Sequence, residues 1–408
     1  MSQEGNATVE VVTTPPVKQR RSPSLTVVTD SELQTWNSCP QKHHFQYRER
    51  LRPMVEGKAL AVGSIFHHGM ASGLRAGWSE GWKSRPNSQR LADQIAASAV
   101  GIDDLVMKWA SKVVAHSVGV VDFAKLSDDV DTTAAMVKWM LAHYFTQTQG
   151  DLTTLVLVEV EHAFHVDIHN KRGHVAPYLK YSGVRDAVMY DPNYNQIVLM
   201  EHKTAGGDPR QIEKRVEMDT QTKGYLYALK QQRATMHAVD GTPLDGAFLG
   251  RVAYNVLRKS QPKSPKVNQN GMVSIAACDT SAELYQAALD EQAHVRKLSV
   301  TTEQVELYKK IEGKGDSWFA RVEHHQTADE IERWRSDTFV NASRIREAER
   351  DPTKRTRNTG HCNYAWSLPC QYRSICLDNS PELRGQFRVA QDPHSEVRAA
   401  ESDAAGTP

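Results

Sequence analysis

The chain has 408 residues, 39% hydrophobic and 24% charged, with 50 basic side chains against 49 acidic ones. This globular composition is long enough for one large domain with insertions or for two smaller ones, and no run approaches the roughly 18 apolar residues of a membrane span. A net charge of +1 excludes a protein coated in basic charge, although not a local basic groove, because phosphate contact depends on where charges sit.

Residues 1–24, MSQEGNATVEVVTTPPVKQRRSPS, lack the apolar core of a secretory signal, so a cytoplasmic setting is expected. Their Thr, Pro and Ser content predicts a disordered tail, with the basic KQRR as a solvated stretch. The ordered domain is expected over 25–378. It opens with SELQTWNSCPQ, where Ser31 and Gln34 fit a capping box for a short helix stopping near Cys39, and Pro40 suits the first position of the next helix. AVGSIFHHGMASGLRAG reads as helical despite its glycines. A helical insertion over about 76–150 follows, supported by Met136, Val137, Met140, Leu141 and Tyr144 at helical spacing.

The period then changes. TTLVLVEVEHAFHVDI (153–168), YSGVRDAVMY (181–190) and QIVLMEHK (196–203) read as strands, the last two joined by the hairpin loop DPNYN. Residues 210–231 read as a helix and GAFLGRVAYNVLRK (246–259) as a further buried strand. Thr327 and Glu330 form a second capping box, and its helix carries Ile331, Trp334, Thr338, Ala342 and Ile345 along one side. Residues 379–408 are expected to be a second disordered tail. This order predicts a mixed α/β fold with one central sheet flanked by helices.

Alternate strand residues share a face, so Glu201 and Lys203 point one way and His202 the other. Asp186 closes SGVRD on the preceding strand, and across a short hairpin the two carboxylates converge on a point. Two carboxylates with waters make the hard oxygen shell that Mg²⁺ or Mn²⁺ prefers. A lysine beside them orients an attacking water or stabilises charge on a phosphate. The plain alternative is an exposed Glu–Lys pair worth tenths of a kcal/mol. Upstream, His67 follows Gly63 at helical spacing. Downstream, Gln221 precedes Tyr225 by one turn, a pair suited to binding a nucleotide or holding the lysine. Taken singly, each also reads as an ordinary interfacial histidine or surface pair.

The five cysteines are Cys39, Cys278, Cys362, Cys370 and Cys376. Disulfides are a poor reading in a reducing compartment, and the crowding of three near the C-terminal end points to metal ligation. Four thiolates suit a [4Fe–4S] cluster or zinc equally well. Cys278 lacks a partner and reads as a plain small residue.

Taken in order, Gly63-x3-His67, Asp186, Glu201-x-Lys203 and Gln221-x3-Tyr225 resemble the RecB-type branch of the PD-(D/E)XK nuclease superfamily over about residues 31–378. EHKT and VAYNVLRK resemble its phage-encoded members. The resemblance implies a restriction-endonuclease-like core with a central mixed sheet, a helical insertion and an iron–sulfur-stapled C-terminal segment at 360–378. By position, it implies that His67, Asp186 and Glu201 ligate Mg²⁺ or Mn²⁺, with the His202 backbone carbonyl adding an oxygen. Lys203 would serve the water or the transition state, while Gln221 and Tyr225 would support DNA binding. Spacing from Gly63 favours His67 over His68, and Arg185-Asp186 stands where the motif has Pro-Asp.

One cysteine, Cys39, precedes the nuclease motifs and Cys362-x7-Cys370-x5-Cys376 follows them, as in the cluster-bearing members. The first gap is wider than in some of these, and the resemblance favours [4Fe–4S] over zinc. The activity implied is that of a DNA exonuclease acting on ends or single strands in replication, recombination or repair. A recombinase, helicase or annealing protein is the kind of partner implied. Two other classes compete: a non-catalytic DNA-binding accessory protein that retains the nuclease fold, and a structural zinc protein outside the superfamily. Lys259, Lys263 and Lys266 read equally as phosphate contacts or as a solvated loop.

Overall fold

The computed structural model describes residues 26–54, 57–116, 122–276, 278–362 and 369–405. The expected N-terminal tail and the stretch 363–368 within the cysteine segment lie outside these residues. The first strand, β1 (Thr26–Val28), leads directly into helix α1 (Asp30–Ser38), then β2 (Leu51–Pro53) and the long helix α2 (Lys58–Gly77). Three helices fill the expected insertion: α3 (Asn87–Ala99), α4 (Ile102–His116) and α5 (Phe123–Gln147). The strands β3 (Val156–His169), β4 (Val175–Asp191) and β5 (Gln196–Ala205) follow, then α6 (Thr220–Gln232) and β6 (Phe248–Arg258). After α7 (Ala282–His294) and α8 (Thr302–Glu312) come β7 (Phe319–His325), α9 (Ala328–Arg350), β8 (Phe387–Val389) and α10 (Ser395–Ala405).

The main sheet is mixed and runs β1-β4-β5-β6-β7, with β3 also paired to β4. β5 is its most central strand. Ile197 and Leu199 enter one core with Tyr225, Leu226 and Trp334. Val198 and Met200 enter the other, with Phe66, Met140 and Tyr144. A strand buried on both faces reads as a continuous hydrophobic run, which is why QIVLM shows no alternation. Helices α2 and α5 thus cover one face of the sheet, and α6 and α9 the other. The glycines of α2 are spacing devices: a Cβ at Gly73 would stand 2.9 Å from the Gln94 carbonyl oxygen of α3. Of the predicted stripe on α5, Val137, Met140, Leu141 and Tyr144 are each 1% exposed or less.

The structure departs from the sequence-based expectations in several places. α1 is capped by Thr29, whose extended backbone lets its Oγ1 accept the Glu32 N–H at 3.3 Å, and not by Ser31, which already lies inside the helix. Residues 209–218 form two 3₁₀ turns, and α6 begins only at Thr220, where the Asp219 side chain accepts the N–H groups of Gln221 and Thr222. The capping box of Thr327 and Glu330 forms as expected.

Residues 379–405, which fall in the expected second tail, are not a tail. β8 pairs antiparallel with β2, and α10 packs along β3 and β4, placing Val397 in a buried position. The polar composition of this segment hides its docking, because much of what it offers is charged: His394 meets Glu32 at 3.1 Å and Glu401 meets His165 at 2.6 Å.

Candidate active site

A strand has two edges, and β3 occupies one edge of β4 along most of its length. β1 and β5 therefore share the other, β1 pairing with residues 179–181 and β5 with residues 187–191. Between them the edge of β4 opens into a fork. The last paired position of the β4–β5 hairpin is Ala187 opposite Met200. The next residue on one arm is Asp186 and on the other Glu201, so the two acids flank the point where the strands part. Asp186 Oδ2 accepts the His202 N–H at 2.7 Å, supplying an acceptor where the backbone ladder has stopped.

Beyond the fork β5 remains paired with β6, which keeps its alternation intact through Ala205. Glu201 and Lys203 face α6. Lys203 Nζ lies 2.5 Å from Glu201 Oε1 and donates to Gln221 Oε1 at 2.8 Å. Gln221 Nε2 in turn donates to the Tyr225 hydroxyl at 2.9 Å. The Gln-x3-Tyr pair therefore grips the lysine from one face of α6. Tyr225 is only 6% exposed and packs edge-on against Phe164. His202 points to the opposite face, where its Nε2 lies 3.1 Å from the Tyr144 hydroxyl.

His67 reaches the fork from α2, while its neighbour His68 is exposed. His67 Nδ1 stands 3.5 Å from Asp186 Oδ1. It stands 3.3 Å from Oε1 of Glu161 on β3, a residue the sequence reading passed over. His67, Asp186 and Glu161 each bring a ligand atom within 4.8 Å of the other two, whereas Glu201, held by Lys203, is not part of that trio. Asp30, at the start of α1, was also passed over. It accepts from Thr220 at 2.8 Å, and Lys203 acts on it electrostatically. The one signal was an acidic residue within a predicted strand for Glu161 and beside a predicted helix start for Asp30, which many surfaces share.

Charge is strained at the fork. Burial and then the Asp186 charge push the Glu201 carboxyl up to about 7. Burial also raises Asp186 above the usual carboxylate range. For His67 burial acts downward, but the carboxylates of Asp186 and Glu161 outweigh it and lift the imidazole to about 9. Burial holds His202 well below the ordinary histidine range, so it is neutral. Glu201 Oε2 is buried and has no hydrogen-bond partner among the described residues. An excess of buried negative charge, an orphaned carboxylate oxygen and three converging ligand atoms together fit a divalent cation held by oxygen and imidazole.

The four cysteines of the expected cluster converge from both ends of the chain. Cys39 ends α1, and its Sγ accepts the Asn358 N–H at 3.5 Å. Cys370 N–H donates to the Cys362 carbonyl at 2.9 Å. Cys39, Cys362 and Cys370 all act electrostatically on the Cys376 thiol, which burial pushes up. Phe45, Leu51, Tyr372 and Ile375 pack around Cys370 and Cys376. Among the described residues, no three of these sulfurs lie within 4.8 Å of one another. Cys278 is exposed and apart from this set.

No helix among the described residues is long and apolar enough to cross a membrane. Lys259 donates to the Ala59 carbonyl at 3.4 Å beside the start of α2, and Lys263 and Lys266 are exposed. No curated protein matches the chain significantly. The family model of the PD-(D/E)XK nucleases matches residues 28–377, from the last residue of β1 past the last cysteine, and it includes Asp186, Glu201, Lys203 and His67. With the two acids and the lysine on a split hairpin inside that span, the chain belongs to the PD-(D/E)XK nuclease superfamily.

Proposed function

We propose that this protein is a divalent-metal-dependent DNA nuclease of the RecB type, acting as an exonuclease on DNA ends or single strands in replication, recombination or repair. The observation that carries the reading is the fork itself, where Asp186, Glu201, Lys203 and His67 meet from three separate segments. Asp186, Glu201, His67 and the His202 carbonyl are the groups that would hold Mg²⁺ or Mn²⁺. A cation bound there supplies a Lewis acid for the phosphate and an acidified water. The Lys203 ammonium spends two of its three N–H donors on Glu201 and Gln221. The third is free to donate to a phosphate oxygen as charge builds there. Gln221, the more exposed of the Gln–Tyr pair, fixes that ammonium and borders the path of the DNA strand.

End-labelled single- and double-stranded DNA, linear and circular, incubated with Mn²⁺ or with EDTA, tests this directly. Mn²⁺-dependent loss of linear DNA with circles spared is expected. Binding without cleavage would instead make the protein a DNA-binding accessory.

We also propose that Cys39, Cys362, Cys370 and Cys376 hold a [4Fe–4S] cluster that staples α1 to the C-terminal part of the domain. Four thiolates within electrostatic reach of one another and the resemblance of their order support this assignment. Metal-binding free energy would there replace hydrophobic burial, which is limited to the few residues around Tyr372. An anaerobic preparation is expected to be brown and to contain iron and sulfide. A colourless one with a single zinc per chain would overturn the assignment. A recombinase, helicase or annealing protein in the cytoplasm completes the proposed setting.

A further inference from the structure

Glu161 stands apart from the residues that the superfamily motif explains. It lies in mid-strand on β3, and the register brackets it: Val160 pairs with Ala187 and His162 with Arg185, which sets Glu161 opposite Asp186. Its backbone has φ +47°, in the left-handed region, one of four such non-glycine positions among the described residues. A left-handed residue within a strand is unfavourable by about 1 kcal/mol or more, so the surrounding structure enforces it. The outcome is a carboxylate whose Oε1 stands 3.3 Å from His67 Nδ1, in the same 4.8 Å group as Asp186.

Two further observations decide where a cation would sit. The Oδ2 atom of Asp186 is already engaged by the His202 N–H at 2.7 Å, leaving Oδ1, which faces His67 at 3.5 Å. A cation taken by Oδ1 therefore enters on the His67 and Glu161 side of Asp186. Glu201 is 1% exposed, Lys203 holds its Oε1, and its buried Oε2 has no partner. That orphan oxygen is the remaining side-chain ligand available from the opposite arm of the fork.

We infer that Glu161 is a direct ligand of the catalytic cation, so that the side-chain set is His67, Glu161, Asp186 and Glu201. This rests on the reading of the fork as a divalent-metal nuclease site and adds a residue to it. Three carboxylates and one imidazole make a ligand set of charge −3, harder and more anionic than the motif alone supplies. Such a set favours Mn²⁺ and Mg²⁺ over softer ions and leaves fewer positions for water. The competing role is a positioning one, in which Glu161 merely orients the His67 ring through their 3.3 Å contact.

The two roles separate in a double-mutant cycle read by Mn²⁺ binding, using calorimetry and the Mn²⁺ electron paramagnetic resonance signal on the full chain. Glu161→Gln keeps the size of the side chain and an amide oxygen beside His67 but removes the charge. As a ligand, Glu161 makes this substitution weaken Mn²⁺ binding about tenfold or more in the wild-type background, and weaken it again by a similar factor in a His67→Ala background. A positioning residue has nothing left to position once the imidazole is gone, so no further loss in that background would overturn the inference. Wild-type Mn²⁺ affinity in Glu161→Gln alone would overturn it as well. Far-ultraviolet circular dichroism checks that each variant is folded, with Glu161→Asp substituted should the glutamine variant fail. A wild-type protein that neither binds Mn²⁺ nor cuts DNA would remove the nuclease reading itself. That result is distinct from one in which the wild type does both and only the Glu161 effect is absent.

Discussion

Two buried carboxylates, Glu32 and Glu201, have almost the same exposure, 0% and 1%, and opposite electrostatic fates. Glu32 on α1 lies 2.8 Å from His43 Nε2 and 3.1 Å from Arg48 through Oε1. Its Oε2 lies 3.1 Å from His394 Nε2. Burial alone would raise its carboxyl, but His394, His43 and Arg48 together hold it down at about 2. Glu201 has one cationic partner, Lys203, and a carboxylate neighbour in Asp186, and it is pushed up to about 7. The first site gathers Arg48 and two histidines around one carboxylate and serves the fold. The second sets two buried carboxylates side by side with Lys203 against one of them, an arrangement that suits the proposed cation site.

The largest expected effect lies at the fork. Asp186→Ala and Lys203→Ala should each lower Mn²⁺-dependent DNA hydrolysis on the order of 10³-fold while leaving the unfolding midpoint within a few degrees of wild type. Retained activity in either variant removes that residue from the chemistry.

Glu32→Gln should do the reverse, costing about 3 kcal/mol in chemical denaturation because Arg48 loses its buried counter-charge and two histidines lose their carboxylate partner, with cleavage per folded molecule unchanged. The pH dependence follows from the sign of the Glu32 shift. A carboxyl depressed on folding stabilises the protein above its ordinary value near 4.5, and that stabilisation is lost as pH falls toward about 2. Acid titration of wild type should therefore show a steep loss of stability that Glu32→Gln lacks.

Next in size, Mn²⁺ at a hundred times its dissociation constant should stabilise wild type by about 2.7 kcal/mol. It should stabilise Glu32→Gln equally from a lower baseline, and Asp186→Ala hardly at all. Equal shifts in all three would show that the ion binds elsewhere. The smallest effect is expected for Gln221→Ala, which frees the lysine from its clamp. A hydrogen bond to a charged group is worth about 1.5 kcal/mol, so kcat should fall about tenfold with little change in KM.

Much of this was legible in the sequence, for identifiable reasons. Strand parity alone put Glu201 and Lys203 on one side and His202 on the other, and helical spacing put Gln221 and Tyr225 together. The long strands and the Thr327 cap were equally plain. Three other features were not. Glu161 joins the site through pairing across β3 and β4 and through a left-handed backbone, and neither leaves a mark in local composition. β1 spans three residues and is a strand only because β4 offers it an edge. The C-terminal segment looked like a solvated tail because its anchors, His394 and Glu401, are polar residues whose partners lie far away in the sequence.

That distance has a consequence for biogenesis. Thr29 and His394, which meet at 3.5 Å, are separated by 365 residues. At the usual pace of translation, α1 waits roughly 20 to 70 s after leaving the ribosome before its last partner exists. During that interval Glu32 lacks its His394 partner and β1 has no edge to join until β4 emerges. Helix α1 is thus among the last to settle, and nascent chains halted short of α10 should be the ones that protease reaches from the front.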